Sequence, residues 1–69
     1  MQTEKRKEEK QADGGFANVR EAAEYLGLSR AKLYQVMDAG EMRYAKFGSA
    51  RRIPWVEVKA YAERCMVEN

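Results

Sequence analysis

The run Arg20-Glu-Ala-Ala-Glu-Tyr-Leu-Gly-Leu-Ser-Arg-Ala-Lys-Leu-Tyr-Gln-Val36 carries the spacing on which the fold turns. Ala23 precedes Gly27 by four residues, Gly27 precedes Leu33 by six, and Val36 follows three later. Two helices that cross closely need a small side chain at the crossing, which Ala23 supplies. The bend between them needs a residue tolerant of positive φ, which Gly27 supplies. The second helix needs an apolar inner face, supplied by Leu33 and Val36. Its outer face, opening with Ser29-Arg30, is then free to enter a DNA major groove.

Outward from that core the boundaries are marked. Asn18-Val-Arg-Glu21 reads as a capping box, an Asx cap with an acid three residues on to reach back. Val19, Ala22, Ala23 and Leu26 then recur at helical spacing. Gly27 ends the first helix and Ser29 caps the second. Leu33, Val36 and Met37 share its inner face, and Gly40 stops it. Met42–Phe47 alternates, Gly48-Ser49-Ala50 makes a turn, and Arg51-Arg-Ile53 extends again, a two-stranded antiparallel hairpin with basic residues near its tip. Pro54 suits the first position of a final helix, with Glu57 in its first turn and Val58, Tyr61, Ala62 and Cys65 on one face. Tyr44, Phe47, Trp55 and Tyr61 are expected in or beside the core, Tyr25 in packing, and Cys65 buried and inert. The four methionines form no pattern.

Residues 1–13 contain no Leu, Ile, Val, Phe, Tyr or Trp, and Gly14-Gly15 closes the stretch. Lacking apolar surface to bury, residues 1–15 are expected to be a disordered charged tail, serving solubility or lightly holding phosphates or a partner. Residues 16–69 then form one small domain, in which roughly 60% of the chain's surface can be buried. The expected class is mainly α with a small wing, in the order helix, helix, hairpin, helix.

Composition removes most other functions. Among 69 residues there is no histidine and a single cysteine, which excludes imidazole chemistry, an internal disulfide and CxxC sites. No phosphate loop or convincing acid pair is present, so neither an enzyme nor a cofactor or metal is expected. No apolar run approaches a membrane span of roughly 20 residues, and the charged N-terminus is no signal peptide. A bacterial cytoplasmic, nucleoid-associated setting is the expectation. The net charge of +2 is uninformative until divided. Residues 29–55 hold Arg30, Lys32, Arg43, Lys46, Arg51 and Arg52 against Asp38 and Glu41, a net +4. The positive charge thus falls on the second helix and the hairpin.

These marks in this order, REAAEYLGLSRAKLY, then AGEM, then KFGSARRIP leading into a helix, resemble the excisionase-type winged helix-turn-helix domains related to the MerR group. The resemblance covers about residues 17–64. It implies a DNA-binding protein with its second helix in the major groove and its wing against phosphates or the minor groove. It further implies an architectural, DNA-bending recombination directionality factor that turns an integrase toward excision of a mobile element. Copies would bind side by side on double-stranded DNA and be monomeric in free solution. MerR-type regulators append a dimerisation helix and an effector domain, which a chain stopping at Asn69 is not expected to carry. A small transcription regulator using the same DNA surface is the close alternative, and a winged-helix protein-interaction module the more distant one. The chain departs from common family residues at Trp55, Lys32 and Gln35, which bears on the DNA sequence it reads.

Side-chain chemistry suggests roles within that frame. Arg30 can fork onto a guanine edge, Gln35 can pair with an adenine edge, and Ala31 can touch a thymine methyl. Tyr34 suits a phosphate or sugar, Ser29 a phosphate at the helix N-terminus, and Lys32 the backbone. Ser49 lies in the wing turn. Arg51 and Arg52 flank it, where guanidinium groups suit phosphates or a narrow minor groove. Arg52 has the alternative of pairing with Glu57. Arg43 and Lys46 are weaker phosphate candidates.

Overall fold

The computed structural model describes residues 14–67. The expected tail therefore lies outside the described residues except for Gly14 and Gly15. Six elements follow in order: β1 (Phe16–Asn18), α1 (Val19–Leu26), α2 (Arg30–Asp38), β2 (Ala45–Phe47), β3 (Ala50–Pro54) and α3 (Trp55–Arg64). This is the arrangement of a winged helix-turn-helix, three helices and a small antiparallel hairpin, with one strand added at the front.

Helix α1 starts where the Asn18 and Glu21 side chains satisfy each other's backbones. Asn18 Oδ1 accepts from the Glu21 amide at 2.7 Å, and Glu21 Oε1 accepts from the Asn18 amide at 3.0 Å. Two otherwise orphaned donors are paired at once. The helix ends at Gly27, whose φ of 72° is left-handed. The Leu28 amide then folds back onto the Ala23 carbonyl at 2.9 Å, closing a Schellman turn. Gly27, Leu28 and Ser29 alone separate the two helices. At the next start, Ser29 Oγ accepts from the Lys32 amide at 3.1 Å.

The sheet is three-stranded and antiparallel, in the order β1-β3-β2. The hairpin β2–β3 is the expected wing; β1 is the addition. Ala17 lies opposite Ile53 and Phe16 opposite Pro54, while the Trp55 amide donates to the Gly15 carbonyl at 3.1 Å. A strand of three residues shows no readable period in sequence, and β1 exists only because β3 offers it a ladder. The wing turns at Gly48 and Ser49, with positive φ at Gly48 alone (64°), which fits a II′ hairpin. Pro54 closes β3 rather than opening α3, and the helix begins one residue later than expected, at Trp55.

The core joins all these elements. Val19, Ala22 and Ala23 of α1 meet Leu33, Val36 and Met37 of α2, with Ala17, Ile53 and Val58 closing the other side. Met42 is buried among them, 1% exposed. The strand expected from Met42 is shorter, Ala45–Phe47, and Met42 lies before it as a core residue of the connecting segment. Leu26, Tyr44, Trp55 and Tyr61 pack around this centre. Burying side chains such as Leu33, Ile53 and Val58 is worth about 1.5–3 kcal/mol each, the main favourable term in so small a unit.

Two expectations of burial fail. Cys65 is exposed, because it follows the last residue of α3 beyond the reach of the core. Phe47 is 58% exposed on the wing and meets Phe16 edge-to-face, with ring centroids 5.6 Å apart. Tyr25 is also largely exposed, but its ring packs edge-on against Trp55 at 5.7 Å.

Candidate nucleic-acid interface

Because Leu33, Val36 and Met37 turn inward, α2 exposes Arg30, Ala31, Lys32, Tyr34 and Gln35 together. Ser29 stands exposed at the head of this face. Its oxygen accepts the capping bond, so it would meet a phosphate as an O–H donor. First-turn acids, which would repel phosphate, are absent from α2.

The wing contributes Lys46 and Ser49, both exposed, and Arg51 and Arg52, both half-buried. Pairing register separates the two arginines. Lys46 faces Arg51, whereas Ala45 faces Arg52. Side chains alternate along a strand, so Arg51 shares the face of buried Ile53, which looks toward the helices. Arg52 shares the opposite face with Phe16 and Phe47. There its Nη1 donates to the Arg51 carbonyl at 2.9 Å.

Arg51 reaches α2. Its guanidinium carbon lies 4.9 Å from the Tyr34 ring centroid and 4.6 Å from that of Tyr44. Its Nη1 meets Asp38 Oδ1 at 3.2 Å, and the side chain is only 22% exposed. Sequence placed Tyr44 in or beside the core and counted Asp38 only as a charge, so neither was expected at this site. Asp38 lies thirteen residues from Arg51 across the hairpin, a separation that no local period links.

Arg43, also exposed, is paired at the base of the wing. Its Nε and Nη2 donate to Glu57 Oε2 at 3.2 and 2.9 Å, tying the segment before β2 to α3. Glu57 is therefore engaged by Arg43, and the alternative in which Arg52 pairs with Glu57 is not the one found. An open hollow of about 590 Å³ here is lined by Glu41, Arg43, Glu57, Tyr61, Arg64 and Cys65. In it the Tyr61 hydroxyl is held above its ordinary pKa, first by a hydrogen bond with Cys65 and then by burial. Among the described residues, no cluster of acids or cysteine suits a metal ion, and no helix is long and apolar enough to cross a membrane.

A family model described as a helix-turn-helix domain matches residues 18–66, from the Asn18 cap to just beyond α3. The chain belongs to the helix-turn-helix domain family. A relative from Saccharopolyspora erythraea, described as "Probable excisionase", is 40% identical to this helix-turn-helix chain over 51 residues. The aligned part is 74% of the chain and 52% of the relative, so the chain spans about half the relative's length. No solved structure matches the chain significantly. Together the family and the relative bear out the resemblance to excisionase-type helix-turn-helix domains that the residues themselves carry. The exposed face of α2 is thus the second helix of a helix-turn-helix, and the hairpin beside it is the wing.

Proposed function

We propose that this protein binds double-stranded DNA in a sequence-specific manner as an excisionase-type architectural factor. The observation that carries the reading is the shared exposure of Arg30, Ala31, Tyr34 and Gln35 on α2, beside a basic wing tied to the same helix. An α-helix fits the major groove of B-DNA, where Arg30, Ala31 and Gln35 suit base edges and Tyr34 a phosphate or sugar, while Ser29, Lys32, Lys46, Ser49 and Arg52 suit phosphates or the narrow minor groove. Arg43, exposed though paired with Glu57, remains a weaker phosphate candidate.

One helix and one short wing make a small footprint. Tight binding then comes from several copies lying side by side on repeated sites, and the wrapped contacts repay the cost of bending the duplex. Bent DNA of this kind would favour the complex in which an integrase excises a mobile element; the excisionase-like relative supports that assignment. Footprinting on DNA flanking the protein's own gene tests the reading. Repeated protected sites are expected, and a circular-permutation mobility assay should show a bend centred on them. An unbent complex removes the architectural role; binding to no duplex at low salt overturns the assignment as a whole.

A further inference from the structure

We propose that Arg51 is a positioning residue, a clamp that sets the angle of the wing and the ring of Tyr34 relative to α2, rather than a phosphate contact. The inference rests on the DNA-binding reading above. Arg51 occupies the helix-facing side of β3, in line with buried Ile53. Its guanidinium is held between the rings of Tyr34 and Tyr44 and ion-paired to Asp38. Tyr34 and Asp38 are four residues apart on α2, neighbours on one helical face, so one cation grips the recognition helix at two points. The planar guanidinium faces two rings while one of its N–H groups meets a carboxylate, a combination that a compact ammonium does not reproduce.

The wing needs such a tie. Strand β2 has three residues, and a hairpin of that size is not stable by itself. A protein that reads DNA with a helix and a wing together must hold both in register with the duplex, to a fraction of an ångström for directional hydrogen bonds. To reach a phosphate, Arg51 would have to leave both rings and the carboxylate, and Asp38 beside it would repel that phosphate.

The two roles make opposite predictions for Asp38. By charge alone, Asp38→Asn removes a repulsive group from the DNA-facing helix and strengthens binding. As half of the clamp, its loss weakens binding. The test uses the full chain and two probes, a short mixed-sequence duplex and the best duplex that the wild-type chain selects from a random library. Affinity is measured across a salt series for Asp38→Asn, Arg51→Lys, Arg51→Met and the double variant Asp38→Asn/Arg51→Met, with circular dichroism confirming that each is folded.

For the selected duplex, Asp38→Asn and Arg51→Lys should each lose on the order of tenfold in affinity, the scale of coupling between residues in contact. The slope of log K against log salt should stay unchanged for both Arg51 variants. In the Arg51→Met background, Asp38→Asn should reverse sign and tighten binding, because only its charge is then removed. A slope reduced by about 0.9 in Arg51→Met, with Arg51→Lys near wild type, would make Arg51 a phosphate contact and overturn the clamp. Amide relaxation of residues 46–50 in the free protein tests the clamp without DNA. Disorder of the wing confined to the Arg51 and Asp38 variants supports the clamp, and a wing equally ordered in all of them refutes it. Should the wild-type chain bind neither duplex, the DNA reading falls, while the relaxation data still decide for or against the clamp.

Discussion

Arg30 and Leu33 sit three residues apart on α2 and show how one helix serves two ends. Arg30 is exposed, with a guanidinium able to reach a guanine edge; its replacement by alanine should cost roughly 1–3 kcal/mol of DNA affinity and relax preference at one base pair. Competition binding against duplexes altered one pair at a time checks this. Leu33 is fully buried, and Leu33→Ala should cost about 2–5 kcal/mol of folding stability through lost burial and the cavity left behind. Urea denaturation measures it, and a cost near zero would mean that the helix crossing at Ala23 is not the centre of the core. Both placements, exposed and buried, were legible in the sequence, because the helical period separates inward from outward positions. The burial of Met42 was not, since the alternation from Met42 to Phe47 read it as part of a wing strand and the strand begins only at Ala45.

The elements owe their boundaries to local chemistry. Replacing Asn18 with alanine removes the capping box and should destabilise the domain by about 0.5–2 kcal/mol. Gly27 holds a left-handed conformation with open space where a Cβ would stand, so Gly27→Ala should cost roughly 1–2 kcal/mol from backbone strain alone, without a clash. Thermal melts report both changes. For a domain of this size each kcal/mol should lower the midpoint by roughly 4–8 °C. The two helices and the wing turn were readable because caps and turn glycines act within four or five residues. Strand β1 escaped: Phe16-Ala17-Asn18 has neither length nor alternation, and its hydrogen bonds go to a strand more than thirty residues away. The end of α3 misled for the opposite reason. Its apolar spacing continues through Cys65, but the core it would pack against has already ended.

Across the whole molecule, positive charge is gathered on α2 and the wing, so DNA affinity should fall steeply as salt rises, by about 0.9 in log–log slope for each phosphate engaged. Titrations at several salt concentrations test this, and salt-independent binding would contradict a phosphate-based interface. The helix-turn-helix register, the caps, the wing turn and the concentration of charge are all written in the chain itself, because each depends on residues close together along it. Which partner each basic group meets is decided by the folded molecule alone. The fold turns Arg51 inward to Tyr34, Tyr44 and Asp38, gives Arg43 to Glu57, and leaves Arg52 on the opposite face of the wing. Sequence offers all three as phosphate candidates and assigns none of these contacts. Which partner each meets depends on strand register and on helices brought together from distant parts of the chain, and neither can be read from the spacing of neighbouring residues.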